Sequence, residues 1–163
     1  MERQSKNEKL LQYFKDICLI PRQTGDEEAI SQYLLDFAKA RGLQAERDAH
    51  HNVLIRKPST IPGYNGPTVI VQGHMDIVYE KSADSTHKYE DGIHVVEEDG
   101  YLKSADGTSL GADNGLAVAY AMDLLDRNDL PLPALEILIT SSEEVGLEGV
   151  KHLELTDVKG SYL

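Results

Sequence analysis

The chain has 163 residues, with 16 Lys or Arg against 28 Asp or Glu and a formal charge of −12. That balance excludes a nucleic-acid binder, which needs cations to displace counterions from phosphates, while 40 % hydrophobic and 27 % charged residues fit one globular domain or a piece of one. Cys18 is the single cysteine, which excludes an internal disulfide and a cysteine-built zinc site. The first seven residues lack an apolar signal core and no apolar run approaches the ~20 residues of a membrane span, so the expected location is the cytoplasm.

Leu10, Leu11, Phe14, Ile17 and Cys18 recur at helical spacing, and Pro21 stops that helix. A second helix is predicted from near Thr24 or Asp26, with Glu27 and Glu28 favouring its dipole, an apolar stripe of Ile30, Tyr33, Leu34 and Phe37, and Gly42 at its end. Short strands are expected over 43–47 and 52–56, then a Pro/Gly-rich loop over 58–67. Residues 68–72 (Thr-Val-Ile-Val-Gln) read as a strand buried on both faces. After an irregular polar stretch over 77–91, strands 94–98 and 101–104 flank Asp99-Gly100, a strong hairpin signal. Residues 114–127 are alanine-rich and apolar nearly all round, the pattern of a helix buried against a sheet. A second buried strand follows over 135–140, then a short helix over 148–153 and a strand-like opening over 158–163. Strands alternating with helices predict an α/β sandwich with a largely parallel sheet.

Three polar clusters sit where a strand or loop gives way to the next element. Gly73-His74-Met75-Asp76 follows the first buried strand, and ligands bind at the carboxyl ends of strands in such sheets. His74 offers an imidazole to a borderline metal, and Asp76 could fix its tautomer from the other ring nitrogen; alone, the pair equally describes a packed strand-end histidine. Gly111-Ala112-Asp113-Asn114-Gly115 precedes the buried helix, where Asp113 could cap the helix or ligate a metal. Ser141-Ser142-Glu143-Glu144 follows the second buried strand and could be a solvated turn. Imidazole and carboxylate donors from three such ends are what a water-activating zinc or manganese site requires.

The surrounding motifs resemble the aminoacyl-histidine dipeptidases (peptidase D type, or Xaa-His dipeptidases) of the M20 metallopeptidase family. They are Ile20-Pro21-Arg22 with Glu27-Glu28, Glu46-Arg47-Asp48, Asn52-Val53-Leu54-Ile55-Arg56-Lys57-Pro58, Gln72-Gly73-His74-Met75-Asp76, Thr108-Ser109-Leu110-Gly111-Ala112-Asp113-Asn114-Gly115 and Glu143-Glu144. The resemblance implies that residues 1–163 are the N-terminal part of a catalytic domain, with the second, lid and dimerisation domain absent. The implied fold is a three-layer α/β sandwich, a mostly parallel central sheet flanked by helices, incomplete at its C-terminus.

By the same resemblance two divalent metal ions are bound, zinc first, with manganese or cobalt as alternatives. His74 binds one, Glu144 the other, and Asp113 bridges both. Asp76 supports His74, and Glu143 is the general base. The substrate is a small peptide, and full-length relatives are homodimers. Each metal takes one further ligand in the family, an acid after the Glu-Glu pair and a histidine much nearer the C-terminus. Asp157 and His152 come too soon to match, so the chain alone is expected to bind metal weakly and to be nearly inactive.

Other readings compete. Gly107-Thr108-Ser109-Leu110-Gly111 matches the nucleophile elbow of serine hydrolases formally, but no strand runs into Gly107 and no helix starts at Ser109. A different M20 activity (tripeptidase, carboxypeptidase, deacylase) and a non-catalytic truncated copy are the remaining alternatives. His50 and His51 read as an exposed turn, His87, His94 and His152 as surface residues without ligand partners, and Cys18 as a buried helix residue.

Overall fold

The main sheet has four strands in the order β1 (Gln44–Arg47), β2 (Val53–Lys57), β6 (Leu135–Thr140) and β3 (Val69–His74). The computed structural model describes residues 2–153 and 158–163. Helices α1 (Glu2–Cys18) and α2 (Glu28–Ala40) precede the sheet, α3 (Ala112–Asp126) connects its two buried strands, and α4 (Glu148–Lys151) follows β6. A separate hairpin, β4 (Val95–Glu98) and β5 (Tyr101–Ser104), turns through Asp99 and Gly100, whose φ values of 53° and 78° are the left-handed pair a tight hairpin needs.

The α/β class matches the expectation, but the sheet is mixed. β3 and β6 are parallel, whereas β1–β2 and β2–β6 are antiparallel. A parallel pair needs a long crossover, and the segment carrying α3 supplies the one between β3 and β6. Between β1 and β2 there is only a short turn. Asp48 closes it by accepting hydrogen bonds from the backbone of His50 and Asn52, both at 2.9 Å.

Alternation along the strands separates two faces. Val53, Ile55, Ile137 and Ile139 join a single core cluster with Phe14 and Ile17 of α1, Ile30, Leu34 and Phe37 of α2, and Val118, Met122 and Leu125 of α3. Lys57 lies on the same face: its buried ammonium donates to Leu125 O at 2.8 Å and Asn128 Oδ1 at 3.0 Å, satisfying carbonyl oxygen at the end of α3. The other face is partly ionic, with Arg56 bridging Glu46 at 2.8 Å and the buried Glu136 at 3.2 Å. Beside β3, Tyr162 bridges Val69 in parallel and its carbonyl accepts from Ile70 N at 2.7 Å, in keeping with the strand-like pattern of the last residues.

Candidate active site

Parallel pairing sets the site. His74 lies opposite Thr140 in the β3–β6 register, and Met75 N donates to Thr140 O at 2.8 Å, so the segments after both strands leave from one rim of the sheet. The start of α3 reaches the same rim because Gly73 has no side chain. A Cβ there would stand 2.6 Å from Asn114 Oδ1, an oxygen that instead receives a hydrogen bond from His74 N at 3.4 Å. Asp113 and Asn114 are not helical in φ and ψ although they lie in the first turn of α3 (Asp113 ψ 111°). The Asp113 carboxylate accepts from Asn114 Nδ2 at 3.5 Å rather than from a backbone N–H of α3.

All five residues singled out for chemistry meet here. His74 Nε2 is 3.3 Å from Asp113 Oδ1 and 3.7 Å from Glu143 Oε2. Donor atoms of His74, Glu143 and Glu144 lie within 4.8 Å of one another. His74 is buried, with Nδ1 at 3.0 Å from the Asp76 carbonyl oxygen and 3.5 Å from its carboxylate, while Asp113 is 83 % exposed at its side chain. The Nδ1 proton therefore points to Asp76, and Nε2 faces the acids.

Asp76 is fully buried, yet ionised. Burial alone would raise its pKa, but His74, Glu143 N (3.0 Å), Thr24 Oγ1 (2.8 Å) and Glu144 N (3.2 Å) all donate to it and bring it down to about 2. Two of those bonds hold the backbone of the Glu143-Glu144 segment, so Asp76 fixes both the imidazole and the acids. For His74, burial lowers the pKa but the Asp76 carboxylate more than offsets it, and the net shift is upward. Burial and the neighbouring Asp113, Glu143 and Asp76 push Glu144 up, against an opposing pull from His74. Among the described residues no lysine or arginine forms an ion pair with Asp113, Glu143 or Glu144.

Sequence reasoning missed the loop between α1 and α2, which ties all three segments together. Arg22 is buried and donates to Met75 O and Gly111 O, each at 2.9 Å. Thr24 bonds Asp76, and buried Glu27 accepts from Ser142 N at 3.0 Å and Ser142 Oγ at 2.9 Å. The guanidinium fits only because position 115 is glycine, where a Cβ would stand 2.5 Å from Arg22 Nη2. A lone charged residue after Pro21 reads as solvated, and nothing in the sequence ties it to residues 53 and 89 positions downstream.

Elsewhere one expectation holds and one changes. Ser109 Oγ donates to Val78 O at 2.8 Å, in a loop rather than between a strand and a helix, so the nucleophile elbow is not formed. His87 and His94 are not isolated surface residues: His87 is buried, and both rings approach Asp106. The loop 77–91 folds back on the segment after β5, with Lys81 bridging Thr108, and brings them together. His152, like His50, is a surface ring, and the two stack with centroids 4.7 Å apart. Cys18 is buried as expected, and that burial pushes its thiol up.

No protein-family model matches the chain. It is 38 % identical to the cytosol non-specific dipeptidase of Escherichia coli over 141 residues, 86 % of this chain and 29 % of that protein. The crystal structure of an aminoacylhistidine dipeptidase from Vibrio alginolyticus superposes with a TM-score of 0.88 at 35 % identity, covering 93 % of this chain and 31 % of that one. A dinuclear metal binding peptidase of the M20 family from Bacillus subtilis shares the fold, with a TM-score of 0.55 at 13 % identity over 87 % of this chain and 37 % of that one. The chain thus spans about a third of the length of these relatives. Among the described residues no helix is long and apolar enough to cross a membrane.

Proposed function

We propose, from the homology of this chain to dipeptidases of the M20 family, that its rim site takes part in metal-dependent hydrolysis of dipeptides, of the Xaa-His kind, in the cytoplasm. The chain would form the N-terminal part of the catalytic domain of such an enzyme. The observation that carries this reading is His74 Nε2 gathered with Glu143 and Glu144 and lying 3.3 Å from Asp113, with no lysine or arginine ion-paired to those acids among the described residues.

The donor set fits divalent metal. Imidazole and carboxylate oxygen suit zinc, manganese and cobalt alike, and the upward push on Glu144 by its acidic neighbours is the repulsion that a cation would relieve. His74 would hold one ion, Glu144 a second, and Asp113 both. When bound, the ions would polarise the scissile carbonyl and lower the pKa of the attacking water.

The residues of the chain do the rest. Glu143 takes the proton from the water and hands it to the leaving amine. Asp76 keeps the His74 proton on Nδ1 so that Nε2 stays free to coordinate, and through two backbone bonds it holds Glu143 at its working distance. Arg22 and Glu27 hold the three segments in register.

Three ligands shared by two ions fall short of the three protein ligands typical of each catalytic zinc. The 163-residue chain should therefore bind metal weakly and turn over little, the remaining ligands and a second, dimerising domain coming from protein outside these residues. Metal analysis tests the roles. In an enzyme completed with the remaining ligands, Asp113→Ala should lose bound zinc at the rim and Glu143→Ala should keep it; the opposite pattern would overturn the assignment.

A further inference from the structure

A second imidazole–carboxylate cluster lies away from the rim, where the loop 77–91 meets the turn after β5. His87, His94 and Asp106 each offer a ligand atom, all within 4.8 Å of one another. His94 Nδ1 is 2.9 Å from Asp106 Oδ2, His87 Nε2 is 3.7 Å from that same oxygen, and His87 Nε2 is 2.6 Å from Gly92 O. Ligand atoms of a tetrahedral ion with bonds of ~2.0 Å stand about 3.3 Å apart. The three measured separations straddle that value.

We propose that His87, His94 and Asp106, with the Gly92 carbonyl as fourth ligand, form a binding site for a zinc-class divalent cation, independent of the rim site. The imidazole of His87 is fixed from behind: Nδ1 lies 2.8 Å from the Tyr79 hydroxyl, the arrangement by which an outer partner orients a coordinating histidine. Metal-free, Nε2–H donates to Gly92 O and Nδ1 accepts from Tyr79. A hydroxyl both donates and accepts, so when a cation arrives the His87 proton moves to Nδ1 and Tyr79 turns to accept it, with no bond lost on that side. His94 moves its proton from Nδ1 to Nε2, which its exposed ring (55 %) lets water solvate. Neither neutral imidazole has to gain or lose a proton.

Access and charge favour occupancy. The cluster borders an open cavity of about 680 Å³ that is also lined by Asp84 and Asp91, two further carboxylates that attract a cation and leave room for water.

Titration with zinc, and with cobalt(II) read by its visible absorption, separates this site from the rim. In the double variant His74→Ala, Asp113→Ala, which lacks two rim ligands, one equivalent of metal should still bind. Adding His94→Ala should weaken that binding about tenfold or more, whereas adding His50→Ala should leave it unchanged. Absence of binding in the double variant, or binding that survives His94→Ala, overturns the site. In the unsubstituted chain, zinc should shift the ring-nitrogen resonances of His87 Nε2 and His94 Nδ1; unmoved signals overturn it as well. Because the rim is disabled in one arm and intact in the other, failure here is distinct from failure of the peptidase reading.

Discussion

The rim site and the His87–His94–Asp106 cluster contain the same kinds of side chain but are built in opposite ways. At the rim one imidazole faces Asp113, Glu143 and Glu144, from segments brought together by parallel strand pairing and a crossover helix. In the second cluster two imidazoles share one carboxylate, and its residues lie within 20 positions of one another in a loop and hairpin. The rim concentrates like charge and needs a scaffold, the buried Arg22, Asp76 and Glu27 with half-buried Thr24, to hold it together. The second cluster itself holds a single carboxylate, which is hydrogen-bonded by His94. A site that gathers repelling acids depends on tertiary structure; one built on a single acid can be closed locally.

Substitutions can break or sharpen that contrast. The largest effect is expected for Glu143→Ala in an enzyme completed with the remaining ligands, where it should reduce metal-dependent dipeptide turnover by about 10²–10⁴-fold while zinc content, measured by atomic absorption after dialysis, stays unchanged. Arg22→Met should destabilise the chain by about 3 kcal/mol, because it leaves two buried carbonyls without a donor. It should also weaken rim metal while leaving the second cluster intact, which urea melts and zinc titration would read together.

Asp76→Asn comes next and carries a pH signature. The folded pKa of Asp76 is about 2, below its ordinary value of 3.8, so its ionised form stabilises the native state above about pH 4, and that contribution is lost as pH falls through about 2. In metal-free chain the variant should lose about 2 kcal/mol at pH 7, with the deficit shrinking towards pH 2 in urea melts. A deficit that stayed constant with pH would mean that the carboxylate acts only through shape. The smallest effect is expected for Lys103→Ala, which removes the exposed pair with Glu98 at 2.8 Å on the β4–β5 hairpin. It should cost at most about 0.5 kcal/mol by thermal melting, and a larger loss would mean that the hairpin beside the second cluster is coupled to the core.

Much of the molecule was written locally. The Asp99-Gly100 turn dictated the hairpin, Val69–His74 and Leu135–Thr140 carried the apolar runs of buried strands, and alanine-rich α3 read as a buried helix. The residue types at the three segment ends also pointed to metal chemistry before any fold was known. What the sequence could not state was direction and distance. Antiparallel pairing of β2 with β6, in a sheet expected to be largely parallel, depends on how the chain returns in space. The reach of Arg22 to Gly111, and of His87 and His94 to one oxygen of Asp106, likewise depends on loops whose course no periodicity encodes. Patterns of side chains along the chain record which faces are buried, because burial follows the local repeat. Which charged groups end up within a few ångströms of one another is decided only when the strands pair and the loops close.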